Sequence, residues 1–214
     1  MATASQSGRK TPREVLTDLR RGEILDAALK LFSKKGFAQV RMEDVAAQAK
    51  IAKGTLYLYF PSKASIYSEA VQHATDQLSG LAEERMAGIT GVRERLQTMI
   101  ATRAQFWIDN KPLYRLLLTV GREPEHHKQT IALIKRAART LKKEMEAGVR
   151  SGEIEAHALD PIAFAIIDMM RGLIERKLDS GKETSATNEI AAISRIALAA
   201  LGLDKPVKAR KRKA

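Results

Sequence analysis

MEDVAAQAKIAKGTLYLYF, residues 42–60, contains two short stretches of helical spacing separated by three residues. Met42, Val45, Ala46 and Ala49 share one side of the first stretch, and Lys53–Tyr59 forms the second. Lys50-Ile51-Ala52 is read as the tight turn between them. Leu56 and Phe60 lie four residues apart and are expected to face inward, leaving Lys53, Gly54, Thr55, Tyr57 and Tyr59 as surface. A longer helix precedes the pair at about 19–35, with Ile24, Ala28, Leu31 and Phe32 on one face and Gly36 as its stop. A supporting helix followed by two short helices is the trihelical module whose last helix enters the major groove of DNA. The chemistry suits that use. Lys53 and Thr55 can reach phosphates or base edges, Gly54 permits close backbone approach, and Tyr57 and Tyr59 offer hydroxyls. By pattern alone, the same residues also fit a generic helical hairpin with an aromatic core stripe.

Working outward, nearly every periodic segment has helical spacing and none alternates as a strand would, so the expected fold class is all-α. Ser62 is read as the N-cap of a longer helix in which Ile66, Ala70, Ala74, Leu78 and Leu81 recur. Further helices are expected at about 91–109, 112–119, 124–151, 161–180 and 188–201, bounded by Pro112, Pro124, Gly152, Asp160-Pro161 and Gly181. In that reading Asp160 caps the helix that Pro161 opens. The expected organisation is a flexible basic tail at 1–17, a DNA-binding domain at 18–67, a helical effector-binding and dimerisation domain at 68–204, and a basic tail at 205–214.

The chain of 214 residues is 44% hydrophobic and 29% charged, which is ordinary for a protein with a packed core. Its net charge of +12 is unevenly spread. Residues 1–70 hold 12 Lys and Arg against 7 Asp and Glu, residues 71–204 hold 19 against 18, and residues 205–214 hold 6 against none. Basic ends on a near-neutral body suit a polyanion, because phosphate neutralisation releases counterions. With no cysteine there is no disulfide or thiolate chemistry, and a cytoplasmic setting is expected. No apolar run is long enough to span a membrane, and no membrane partner is expected.

The stretch Gly22–Tyr67, with EILDAALKLFSKKGF, MEDVAAQAKIAKGTLYLYF and PSKASIY, closely resembles the DNA-binding domain of the tetracycline repressor (TetR) family of transcriptional regulators. The resemblance implies that Lys53, Gly54, Thr55, Tyr57 and Tyr59 face DNA, that Ala52 starts the recognition helix, and that Lys63 meets the DNA backbone. It also places Arg41 where the family often has a phosphate-contacting Thr. Three residues depart from the usual pattern: Lys50 stands for a turn Gly, Ala52 for a Ser or Thr cap, and Arg41 for that Thr. At Lys50 a left-handed backbone would cost roughly 1 kcal/mol more than at Gly.

Beyond residue 85 the resemblance implies only architecture: a helical domain that dimerises through its last two long helices and holds a ligand between the others. The residues agree independently. Ile190, Ile193, Ala197, Ala200 and Leu201 make one stripe, which Ile196 and Ala199 widen beyond one face. The helix at 161–180 is similarly broad, with Ile162, Phe164, Ile166, Ile167, Met169, Met170, Leu173 and Ile174, and a four-helix dimer bundle would bury both. Candidate ligand-binding residues are Phe106, Trp107, Tyr114, Leu117, Met169 and Met170, with Arg103 and Arg122 as cations. Aromatics and Met at such spacing are also what plain core looks like.

No catalytic residue, metal site or cofactor is expected. His73, His126, His127 and His157 are scattered, and adjacent helical residues point apart. Nucleotide-binding, serine-hydrolase and zinc-protease motifs are absent from the sequence. The reading that follows is a DNA-binding regulator, most simply a homodimeric repressor of a double-stranded operator released by an apolar or amphipathic small molecule. A related activator, and a helical lipid or acyl carrier, remain as alternatives.

Overall fold

The computed structural model describes residues 11–155, 158–179 and 185–204. The expected tail segments 1–10 and 205–214, together with His157 and Gly181, lie outside the described residues. Among the described residues there are helices and no strands. They run α1 Pro12–Lys35, α2 Met42–Gln48, α3 Lys53–Tyr59, α4 Lys63–Met86, α5 Val92–Asp109, α6 Lys111–Val120, α7 Pro124–Ser151, α8 Leu159–Asp179 and α9 Thr187–Ala200.

Helix α1 begins well before residue 19, and residues 12–17 are helical where a tail was expected. The reason is local chemistry: Thr11 Oγ1 accepts the Glu14 N–H at 3.3 Å, and the Glu14 carboxylate accepts the Thr11 N–H at 2.7 Å. That reciprocal cap, with Pro12 at the first helical position, starts a helix without any apolar stripe. Val15, Leu16 and Leu19 are exposed, and in the sequence the polar composition of residues 1–17 outweighs these few apolar residues and points to a tail. Ser62 caps α4 as expected: its hydroxyl accepts the Ser65 N–H at 3.1 Å, and the Ser65 hydroxyl accepts the Ser62 N–H at 3.1 Å.

Asp160 is not an N-cap. Helix α8 starts at Leu159, so Asp160 sits in its first turn and holds the Lys142 ammonium at 2.6 Å. An acid there still suits the helix dipole.

The chain divides into two compact units, the first ending at His73 and the second beginning at Ala74, so the division falls inside α4. In the first unit, Ile24, Ala28, Leu31 and Phe32 of α1, Val45 of α2, Leu56 of α3, Phe60, and Ile66 and Tyr67 of α4 are buried. In the second, α5 packs against α6, α7, α8 and α9. Leu96, Ile100 and Ala104 share one core with Ala137, Leu141 and Met145, with Ala163, Ile166 and Leu173, and with Ile190, Ile193 and Ala197. Gly121 makes the α6–α7 junction close-packed, because a Cβ there would stand 2.3 Å from the Leu117 carbonyl oxygen and 2.4 Å from Thr130 Oγ1.

Candidate functional site

The turn between α2 and α3 is made without glycine. Lys50 has φ 55°, the left-handed region; its N–H donates to the Ala47 carbonyl at 3.1 Å, and the Ile51 N–H donates to the Ala46 carbonyl at 3.0 Å. Those two bonds are the Schellman pattern that normally ends on glycine. They satisfy the last carbonyls of α2 and turn the chain so that α3 starts at Ala52, whose methyl provides no side-chain cap.

Helix α3 is anchored by Leu56, and Phe60 follows it into the core, so the rest of its surface is outward. Lys53, Gly54, Tyr57 and Leu58 are exposed, Thr55 and Tyr59 are half-buried, and Arg41 is exposed at the start of α2. Leu58 is 85% exposed and Tyr57 43%. An apolar side chain so open on this helix was not among the expected site residues, and only its position opposite Leu56 signals it. The Lys53 ammonium pairs with the Glu43 carboxylate of α2 at 2.5 Å and lies 6.0 Å from the Tyr57 ring centre. Pairing raises the Lys53 ammonium and lowers the Glu43 carboxyl from their ordinary values.

Two cations brace the unit from inside. Arg21 of α1 holds the Glu69 carboxylate of α4 through two nitrogens, donates to the Tyr59 carbonyl at 3.2 Å, and stacks 4.8 Å over the Phe60 ring. This ties the C-terminal end of α3 to α1 and α4. Lys63 donates to the carbonyls of Phe37 and Ala38 at 2.8 and 3.2 Å, so it stands at the start of α4 as a clamp on the loop after α1.

In the second unit a cavity of about 90 Å³ opens among α4, α5, α6, α7 and α8. Each helix contributes residues at its own repeat: Arg103 and Trp107 from α5, Tyr114, Leu117 and Leu118 from α6, Thr130, Leu133 and Ile134 from α7, and Ile167, Met170, Arg171 and Ile174 from α8. Thr75 of α4 completes the wall. Five of the expected ligand-binding residues therefore meet: Arg103, Trp107, Tyr114, Leu117 and Met170. Phe106, Arg122 and Met169 are not in the wall. Helical neighbours diverge by about 100°, and here the wall takes Trp107 and Met170 while Phe106 and Met169 turn to other surroundings. Phe106 packs edge-on to Trp107 at 5.3 Å, Met169 packs against the core, and Arg122 is exposed beyond α6. Thr75, Thr130 and Arg171 were missed because they resemble ordinary amphipathic-helix residues until the helices assemble.

The cavity is apolar with a few polar groups. Burial pushes the Tyr114 phenol up to about 12, the nearby Glu175 charge adds to this, and Arg171 opposes it. Its hydroxyl therefore stays a proton donor.

Comparison with known proteins settles what scaffold this is. Residues 24–70 match the model for bacterial regulatory proteins of the tetR family, and residues 90–175 match a tetracyclin repressor-like C-terminal domain. The chain belongs to the TetR family. It is 29% identical over 116 residues to the HTH-type transcriptional activator FasR of Mycolicibacterium smegmatis, covering 54% of this chain and 51% of FasR. It is 37% identical over 97 residues to the HTH-type transcriptional repressor KstR of the same species, covering 45% of each. The chain thus spans about half the length of these two relatives. A TetR-family regulator from Syntrophomonas wolfei superposes with a TM-score of 0.77 at 19% identity, covering 89% of this chain and 99% of that one. As a TetR-family protein the chain is a DNA-binding transcriptional regulator, with α1–α3 as its helix-turn-helix module. No described helix is long and apolar enough to cross a membrane.

Proposed function

We propose that this TetR-family regulator is a repressor that binds a near-palindromic operator as a homodimer and leaves it when a small amphipathic molecule fills the α4–α8 cavity. The observation that carries the reading is the cavity itself, with Trp107, Tyr114, Leu117 and Met170 facing one space beside Arg103. Its volume matters to mechanism. At about 90 Å³ it is smaller than the engineered cavity of about 150 Å³ that takes benzene, so a ligand of ordinary size must move the walls. Thr75 of α4 is one of those walls, and Lys63 opens the same helix beside the DNA-reading module. A ligand that binds the expanded state more tightly shifts the population away from the operator-binding state.

On the DNA side, Lys53, Gly54, Thr55, Tyr57 and Tyr59 of α3 are proposed to meet the major groove, with Arg41, Ala52 and Lys63 at its edges. Two copies are proposed to pair through α8 and α9. Phe164 and Ile196 are 37% and 55% exposed there, with the small side chains of Ala165, Ala191, Ala199 and Ala200 also open. A symmetric four-helix contact would cover them.

Fluorescence anisotropy against promoter fragments, with and without cavity ligands, tests the reading. Operator affinity should fall as the cavity fills. A molecule that occupies the cavity tightly yet leaves operator affinity unchanged would refute release. The similarity to FasR, named an activator, supports a second reading in which the bound protein raises transcription. In vitro transcription from the same fragment separates the two.

A further inference from the structure

Arg103 is the anomaly of the second unit. Its side chain is half-buried, lines two cavities, and makes no hydrogen bond or ion pair among the described residues. It lines the 90 Å³ cavity and also a neighbouring one of about 60 Å³, with Thr75 and Leu133 common to both. Burial pulls it down to about 10, with Tyr114 opposing and Arg136 adding to the fall, so it remains charged at neutral pH. A cation on a cavity wall with no counter-charge is partly desolvated, and a bound anion would offset that cost.

Its neighbours are already matched. Arg136, in the wall of the smaller cavity, lies 3.5 Å from Asp76, and Arg171, in the wall of the larger, lies 3.2 Å from Asp168. Among the wall residues of the two cavities, Arg103 is therefore the cation without an acidic partner.

We infer that the effector is a monocarboxylate with an apolar body, its anionic head seated on Arg103 and its body lying against Trp107, Leu117, Ile134, Met170 and Ile174. One cation calls for one anion, and a guanidinium fork matches the two oxygens of a carboxylate. The Tyr114 hydroxyl, in the same wall, supplies a further donor near the head. The two cavities, about 90 and 60 Å³, together match the volume that takes benzene, so an amphipathic carboxylate of about ten heavy atoms must also move the walls. This inference rests on the ligand-released reading above for its biological sense, but its chemistry is tested without DNA.

Trp107 is the sole tryptophan of the chain and stands in the cavity wall, so its emission reports occupancy. The full-length protein is titrated with octanoate and phenylacetate, with their neutral amides, and with the dianion octyl phosphate. Both carboxylates should saturate, and the amides and the phosphate should bind at least about tenfold more weakly, the scale of a lost charge-assisted hydrogen bond. Arg103→Met should abolish the preference for carboxylate over amide and should melt no lower than wild type without ligand, since it removes an unpaired charge. Arg103→Gln, which keeps a polar side chain, is the second variant and should lose the preference in the same way. Equal binding of amide and carboxylate overturns the inference. So does a carboxylate affinity unchanged in both variants, or no saturable carboxylate binding up to millimolar concentration. An amide that fills the cavity and releases the operator overturns the carboxylate assignment and leaves ligand release standing. A carboxylate that binds through Arg103 without affecting the operator upholds the site and refutes release instead.

Discussion

Lys53 of α3 and Glu43 of α2 form an ion pair at 2.5 Å across the face proposed to meet DNA. Both side chains are more than half exposed, so the pair adds little to stability, and its importance is to DNA. Glu43 holds back a cation and places a negative charge close to phosphate. Glu43→Gln is expected to raise affinity for operator and random DNA severalfold and to steepen the salt dependence, because Lys53 is then free to displace counterions. Anisotropy titrations across a salt series check this, and an unchanged slope would show that Lys53 keeps clear of phosphate.

In the proposed major-groove docking of α3, exposed Leu58 offers an apolar contact where the thymine methyl is the apolar landmark. Replacing a contacted thymine with deoxyuridine should cost about 0.8 kcal/mol, the value of one buried methyl. Leu58→Ala should be insensitive to that replacement while melting like wild type, since the side chain is outside the core. Competition binding with singly substituted operators makes the measurement.

The left-handed Lys50 predicts a stabilising substitution. Lys50→Gly relieves a strained φ at an exposed turn and should add roughly 1 kcal/mol, or about 2–4 °C in melting temperature. Operator affinity should stay within error, because the turn geometry is already in place. A lower melting temperature would mean that the greater freedom of glycine in the unfolded chain outweighs the strain.

The proposed dimer face predicts a monomer. Phe164→Glu with Ile196→Glu should leave helicity intact, since both positions are exposed, and should abolish self-association by burying like charges across the two-fold axis. Light scattering after size exclusion should report a single chain, with operator affinity lost and random-DNA binding largely kept. A double variant that stays dimeric would place the interface elsewhere.

At the α6–α7 junction, Gly121→Ala should destabilise by roughly 1–3 kcal/mol, because the added methyl meets the Leu117 carbonyl and the Thr130 hydroxyl. The same two residues line the cavity, so its ligand affinity should change as well. Denaturant unfolding monitored at Trp107 gives both readings.

The sequence by itself determined the all-helical class, the two short helices at 42–60 and the surface of α3, because those depend on the period of apolar residues and on local caps. Leu56 and Phe60 went inward, and Lys53, Gly54 and Tyr57 outward, for that reason alone. The left-handed Lys50 was signalled by the family resemblance, in which a Gly usually holds that turn position. Helix α1 was legible too, in the Thr11 and Glu14 cap, though the polar composition of residues 1–17 pointed to a tail. Only the tertiary structure decided which of two helical neighbours faces the cavity, choosing Trp107 over Phe106 and Met170 over Met169. That choice depends on how helices distant in sequence rotate against one another, and a one-dimensional pattern carries no information on rotation. The isolation of Arg103 is of the same kind: a missing partner is visible only when every element that could have supplied one is in place.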